Sequence, residues 1–398
     1  MKDIFKYFLM MSIRFLLKIF YIFPVKNNYI LFSSFEGRQY SCNPKYLFQK
    51  ISSKFSNQYH YIWTLNKKDG EDLKRLLEDI EKFGLSKKNV KTVKFLSLTH
   101  IYYYLTCKYI ISNLNLEPFI PKRANQLYLA TWHASGAYKN MDFSCSLKPT
   151  LYKLSARDFR SRKINYYIAG CKAFKDVYIK TWNTDADHFI STGLPRNDIF
   201  FESADALDKR KSTILPRLSL DETFGYVLFA PTYRGLNNHN HKSFDFELNV
   251  RELLAACEKR FNKPFKMLVK NHVDTESSHQ LTGENIIDVS WYSDMQELML
   301  ASDILITDYS SSIWDFALLY KPAFLYTPDL GDYLKERGFY TPIDDWPFDY
   351  AETNAKLLNL ILNYDENRSK LKINHHFELL GSYDSGTACE QVIQKLGF

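Results

Sequence analysis

Short runs of β-branched and aromatic residues recur along the chain at 29–35, 59–65, 108–112, 126–131, 165–169, 226–230, 266–269, 303–307 and 323–326. Runs of this length with few charges predict buried strands. Longer stretches with apolar residues at three- and four-residue spacing separate many of them, at 70–83, 249–261, 293–301 and 311–319, and predict helices. Strand and helix alternating in this way require largely parallel sheets, so the pattern predicts an α/β fold. The polar, charged stretch 202–222, which contains Pro216, divides two such series and predicts a boundary near residue 215. The domains expected are therefore 26–215 and 216–398, behind an N-terminal segment, 1–25.

Residues 4–23 are mostly apolar but include Lys6, Arg14 and Lys18. Each would cost about 2.5 to 3.5 kcal/mol near a bilayer centre, which disfavours a spanning helix. On a helical projection Lys2, Lys6, Arg14 and Lys18 fall within an arc of about 160°, and Phe5, Phe8, Leu9, Ile13, Leu16 and Phe20 occupy the rest. The segment is thus expected to be an amphipathic helix lying in an anionic membrane interface. Packing on the protein's own core is the competing reading. A secretion signal is disfavoured, because charge interrupts the apolar runs and no A-x-A-like site follows.

With 45% hydrophobic and 16% aromatic residues, the chain is neither disordered nor fibrous. It has no G-x-G-x-x-G, Walker loop or G-x-S-x-G segment. The six cysteines, at 42, 107, 145, 171, 257 and 389, form no CxxC pair, which argues against a disulfide scaffold or structural metal and points to the cytosol. Net charge is +7, and nine Lys/Arg against two Asp between 148 and 180 account for an equal local surplus. A basic tract suits nucleic acid, an anionic membrane or a phosphorylated substrate.

Open α/β sheets bind ligands outside the carboxyl ends of their strands, so polar residues just past the predicted strands are the site candidates. His133 follows one strand in the first half, His272 another in the second, and Asp308 with Ser310, Ser311 and Ser312 lies between a strand and a helix. Backbone N–H groups at a helix start, joined by serine hydroxyls, suit phosphate. Arg196 in TGLPRND follows a further strand-like run, 188–192, and offers a charged fork for a diphosphate or carboxylate, and Thr232 and Arg234 in FAPTYRG end another strand. Taken singly, each has a plain structural reading: histidine bonded to backbone, serine as a helix cap, arginine solvated at the surface. No Asp/Glu/His grouping has metal-binding spacing.

Six segments in order, FSSFEGRQYSCNPK, TWHASGAYK, GLPRND, APTYR, LITDYSSSIWDFALLYKP and PDLGDYLKERGFY, resemble the motifs of the CDP-glycerol glycerophosphotransferase family over roughly residues 30–345. These are the primases and polymerases of teichoic acids and of similar capsules. The resemblance implies a glycosyltransferase-B type fold, two Rossmann-like domains facing a cleft with the donor mainly on the C-terminal one. By motif position, His133 is expected as catalytic base and His272 as the second essential histidine. Arg196, Thr232, Ser310, Ser311 and Asp315 are expected to contact the donor, together with Trp132, Ser135, Gly136, Pro231, Lys270, Asn271 and Asp308. Three departures stand out. His133 is followed by Ala-Ser-Gly-Ala where the polymerases have Gly-Thr-Pro-Leu, Cys42 replaces a frequent Asp, and Lys270 replaces a frequent Arg.

The resemblance implies transfer of glycerol phosphate from CDP-glycerol to a hydroxyl of a lipid-linked saccharide or growing chain, with release of CMP. Ribitol phosphate is the alternative unit, and a nucleotide-sugar glycosyltransferase of the same fold or a nucleic-acid or membrane-binding module are the rivals. No tightly bound cofactor or metal is expected, although loosely held Mg2+ is compatible with the chemistry. The expected partners are CDP-glycerol, the lipid-linked acceptor and an anionic membrane, not nucleic acid, with a peripheral location on the cytoplasmic face of a bacterial membrane. The Ala-Ser-Gly-Ala variant, and the absence of an obvious module beyond the two domains, lead us to expect limited, primase-like addition.

Overall fold

A computed structural model describes residues 2–114, 117–136, 138–140, 150–232, 247–271 and 281–398. The chain divides into two compact units, one of Met1–Ser135, Asp142–Phe201 and Ser382–Phe398, the other of Gly136–Met141 and Glu202–Gly381.

The first unit is built on seven strands: β1 (Lys26–Ser33), β2 (His60–Thr64), β3 (Val90–Val93), β4 (Cys107–Ser112), β5 (Leu127–Ala130), β6 (Tyr166–Ala169) and β7 (Phe189–Ser191). They form one parallel sheet in the order β3-β2-β1-β4-β5-β6-β7, with Leu31 in register with both Ile62 and Ile110. Ile30, Leu31 and Phe32 are fully buried, as expected for a central parallel strand covered on both faces. The second unit carries β8 (Gly225–Phe229), β9 (Phe265–Val269), β10 (Ile286–Asp288), β11 (Ile304–Thr307), β12 (Ala323–Tyr326) and β13 (Tyr350–Ala351), parallel in the order β10-β9-β8-β11-β12-β13. Alternate residues Val227, Phe229, Met267, Val269, Ile304 and Ile306 face one core with Leu253 and Cys257 of helix Val250–Phe261 and Leu357 and Ile361 of helix Asn354–Leu362. Both sheets therefore have the doubly wound strand order, which places a topological switch point between β1 and β4 and another between β8 and β11.

The predicted strand runs correspond to the buried strands. Edge strands β3, β10 and β13 lack a matching run, because they are short and largely solvated: β3 buries only Val93 and β10 no residue fully. The division between units falls at Phe201/Glu202, not near 215. The stretch expected to be a linker forms helix Ala204–Arg217, which Ser203 caps through its Oγ and which buries Ile214 and Leu215. The last segment also departs from the expected 216–398 domain. Helix Ala388–Leu396 returns to the first unit, where Val392, Ile393 and Leu396 are buried and the Asp198 carboxylate accepts the amides of Ala388 and Cys389 at 2.9 and 2.7 Å. An acceptor at a helix start stabilises its orphan amides, so this contact anchors the return.

At the N-terminus, helix Lys2–Leu17 continues into a 3-10 turn, Lys18–Ile22. Phe5, Phe8, Phe15, Leu16, Ile19 and Ile22 are exposed, with Phe15 at 73% and Ile22 at 76%. Met10 is buried, and Asp3 accepts from the Thr150 hydroxyl and the Tyr152 amide at the start of helix Leu151–Ser161. Arg14, one of the cations on the projected arc, packs against the protein's own residues. Its guanidinium lies 4.3 Å over the Phe159 ring and donates to the Pro118 carbonyl, because packing against helix Leu151–Ser161 turns this position inward. No helix among the described residues is long and apolar enough to cross a membrane.

Candidate functional site

In the first unit the ladder runs one residue beyond β5, where the Thr131 amide donates to the Ser112 carbonyl at 2.8 Å. The chain then turns sharply, with Trp132 at φ +54°, a conformation that a bulky side chain adopts only when its surroundings impose it. Asn43 and Arg196 impose it. Asn43 Nδ2 donates to the carbonyls of Thr131 and Trp132 at 3.2 and 2.8 Å, and Arg196 Nη1 donates to the carbonyl of His133 at 3.0 Å. Asn43 Oδ1 accepts the Arg196 amide at 3.1 Å, and Arg196 Nη1 also reaches Cys42 Sγ at 3.2 Å. Three successive carbonyls are thus held by two buried side chains. Gly170 completes the fit: a Cβ there would lie 2.5 Å from the Ser135 carbonyl oxygen, so only glycine lets the Ala134–Ser135 backbone pass the end of β6.

The turn delivers His133 to the switch point. Its Nδ1 faces the carbonyl of Asn113, just past β4, at 3.4 Å, while Asn113 Oδ1 accepts the amide of Phe35, just past β1, at 2.8 Å. A carbonyl only accepts, so this contact favours the tautomer protonated at Nδ1 and makes Nε2 the basic nitrogen. The rings of Trp132 and Phe35, centred 4.4 and 5.7 Å away, flank the imidazole.

In the second unit the segments after β8 and β11 are joined across their switch point. Thr232 donates to the Asp308 carboxylate through its amide, at 2.9 and 3.1 Å, and through its hydroxyl, at 3.0 and 2.9 Å, and Asp308 is fully buried. Pro231 precedes this clamp. Lys270 Nζ and the Asn271 amide both bond Ser290, at 2.8 and 2.9 Å, tying the end of β9 to that of β10. Ser310 Oγ accepts from the amide and hydroxyl of Ser312, and Ser311 stands at the N-cap position of the six-residue helix Ser312–Ala317 without a side-chain cap bond. Asp315 in that helix is buried and accepts from Gln296 Nε2 at 3.1 Å.

The structure therefore gathers Trp132, His133, Ser135 and Arg196 in the first unit, and Pro231, Thr232, Lys270, Asn271, Asp308, Ser310, Ser311 and Asp315 in the second; Gly136 begins the short Gly136–Met141 piece of the second unit. His272 and Arg234 lie outside the described residues. The basic tract is not one cationic face: Lys163 is buried and donates to the carbonyls of Glu117 and Ile120, and Lys172 and Arg157 pair with Asp176 and Asp158. Among the described residues no group of acids, histidines and cysteines has a metal-binding arrangement. Asn43 and Asn113 were missed by sequence reasoning. Asn43 lies inside the SCNPK segment, but no spacing links it to a histidine 90 positions later.

The pattern of the CDP-Glycerol:Poly(glycerophosphate) glycerophosphotransferase family matches residues 15–397. The chain belongs to this family. Membership makes it a glycerophosphotransferase. Among curated relatives, the teichoic acid poly(glycerol phosphate) polymerase of Bacillus spizizenii is 27% identical, over 94% of this chain and 93% of its own length. The teichoic acid glycerol-phosphate transferase of Staphylococcus aureus is 26% identical over 93% and 92%. Other curated relatives are longer, and the chain spans about half of their length. A solved structure of the wall teichoic acid polymerase TagF superposes with a TM-score of 0.79 at 24% identity, covering 99% of this chain and 97% of that one, so the two share a fold.

Proposed function

We propose that this glycerophosphotransferase uses CDP-glycerol as donor and a lipid-linked saccharide or growing chain as acceptor, in a glycosyltransferase-B type fold. His133 Nε2 takes the proton of an acceptor hydroxyl, whose oxygen forms a new bond to the β-phosphorus. The bond from that phosphorus to the bridging oxygen breaks, its electron pair leaves with CMP, and a phosphodiester remains. Histidine suits the base role because its ordinary pKa lies near neutrality. The observation that carries the reading is the Asn113 carbonyl facing His133 Nδ1, which leaves the other ring nitrogen as the base. The second unit is the proposed donor side, with His272, Lys270, Asn271 and the Ser310–Ser311 turn supplying donors to the diphosphate, so that protein groups rather than a tightly held metal meet the developing charge.

The exposed apolar residues of the N-terminal helix, beside exposed Lys6 and Lys18, support peripheral docking on an anionic membrane, on its cytoplasmic face. Limited addition is favoured by the Ala-Ser-Gly-Ala variant after His133. Mass spectrometry of products from CDP-glycerol, CDP-ribitol and UDP-sugars with a synthetic lipid-linked acceptor tests the reading. Addition of one or a few glycerol phosphates with CMP release is expected. Sugar transfer would overturn the chemistry, and ribitol phosphate addition or a ladder of tens of units would change the donor or the product length.

A further inference from the structure

Five of the six tryptophans, Trp63, Trp132, Trp182, Trp314 and Trp346, are at most 8% exposed, whereas Trp291 is 52% exposed. Leaving one large indole in water while the rest are buried forgoes much of its apolar contribution to the fold. Its place in the sheet gives that exposure a use. In a doubly wound sheet the nucleoside half of a dinucleotide lies over the ends of the first three strands of the unit, with a residue past the second strand bonding the ribose. Here the second strand is β9, which Lys270 and Asn271 follow, and the third is β10, from which the chain passes through Val289 and Ser290 to Trp291.

The peptide that presents the indole is fixed from both sides. Ser290 accepts the Asn271 amide through its Oγ and the Lys270 ammonium through its carbonyl, and its own amide donates to Asp288 Oδ1 at 2.8 Å. On the other side the buried Tyr292 ring meets the Trp291 ring edge-on, with centroids 5.4 Å apart and planes at 89°. A flat π surface is held in place next to a polar strand end.

We propose that Trp291 is a stacking platform for the pyrimidine base of the donor nucleotide, with Lys270 and Asn271 as its polar neighbours. This rests on the reading of the second unit as the donor side. Stacking on an aromatic face is tolerant of base identity, so Trp291 supplies affinity for the nucleoside without choosing cytosine over uracil.

The test is calorimetric titration of the full-length protein with CMP and with ribose 5-phosphate, alongside acrylamide quenching of tryptophan fluorescence. Trp291→Ala is expected to bind CMP roughly 5- to 150-fold more weakly, Trp291→Phe to retain most of the affinity, and ribose 5-phosphate to bind all three alike. CMP should protect the quencher-accessible tryptophan of the wild type, and that accessible signal should vanish in both variants. Unchanged CMP affinity in Trp291→Ala overturns the platform and leaves the donor reading intact. Equal losses for CMP and ribose 5-phosphate overturn it in favour of a purely structural residue. A wild type that binds no CMP overturns the donor reading and the platform together.

Discussion

The Arg196 guanidinium donates to the backbone carbonyl of His133 at 3.0 Å while its side chain is only 6% exposed, so a cation in the GLPRND motif holds the histidine turn from within the first unit. The motif's next residues serve the same body: Asn197 is fully buried, and Asp198 caps the C-terminal helix. A motif that the sequence suggests for diphosphate binding thus links the returning C-terminus to the candidate base.

Replacing Arg196 with Lys keeps a charge but removes the rigid, planar guanidinium whose Nη1 reaches both Cys42 and His133. Steady-state kinetics should show kcat lower by roughly 10- to 100-fold, with KM for CDP-glycerol changed little, as for loss of base positioning. A KM raised tenfold at unchanged kcat would assign the guanidinium to the donor instead.

His133→Ala should lower turnover by about 10²- to 10⁴-fold while leaving the melting temperature and CMP affinity near wild type. Asn113 contacts the histidine through its backbone carbonyl, so Asn113→Ala should preserve the tautomer contact and lose the Phe35 amide bond. Its activity should therefore fall less than that of His133→Ala. Parallel losses of stability and turnover in His133→Ala would mark a structural histidine.

His100 is fully buried against Phe95 and Tyr104, and neither ring nitrogen has a partner among the described residues. Burial lowers its pKa to about 4 from the ordinary 6.5. An unfolded chain protonates this ring as the pH falls through about 6.5, whereas the folded protein keeps it neutral down to about 4. The unfolded state therefore binds the extra proton, and stability is lost on acidification across that window, by on the order of 3 kcal/mol. Melting temperatures from pH 7.5 to 4.5 should show a shallower decline in His100→Phe, with little change at pH 7.5. His376, likewise lowered to about 4 by burial, should keep part of the slope. An unaltered slope would remove His100 as a source of acid sensitivity.

The paired substitution Phe15→Ser and Ile19→Ser changes two side chains exposed at 73% and 69%. Sedimentation with vesicles containing anionic phospholipid should fall at least tenfold, at roughly 25 cal/mol per Å² of apolar surface withdrawn from water. Turnover on a short, water-soluble acceptor should be unchanged. Undiminished sedimentation would show that another surface meets the membrane.

Much of this architecture is legible in local sequence. The buried strands read as β-branched runs because both faces of a central parallel strand are covered, and His133, Thr232 and Asp308 stand just past such runs. Edge strands β3 and β10 are not legible, because solvent reaches most of their residues, whereas the edge strand β7 reads as the run 188–192. Nor is the N-terminal helix fully legible: Lys6 and Lys18 are exposed, whereas Arg14, on the same projected arc, is drawn over Phe159.

Sequence by itself determined the α/β class and the strand ends where chemistry is to be sought, because burial and turn propensity act over a few residues, and the resemblance of six ordered motifs carried the family. Tertiary structure alone decided what those ends do. Asn43 meets the carbonyls of Thr131 and Trp132, Asp198 meets the amides of Ala388 and Cys389, and Thr232 meets Asp308. In each pair the two residues are far apart in sequence, and the parallel sheet's crossovers bring strand ends and helix starts together. Hydrogen bonds made at that range leave no periodicity in the chain, and their partners emerge only when the sheet order is known.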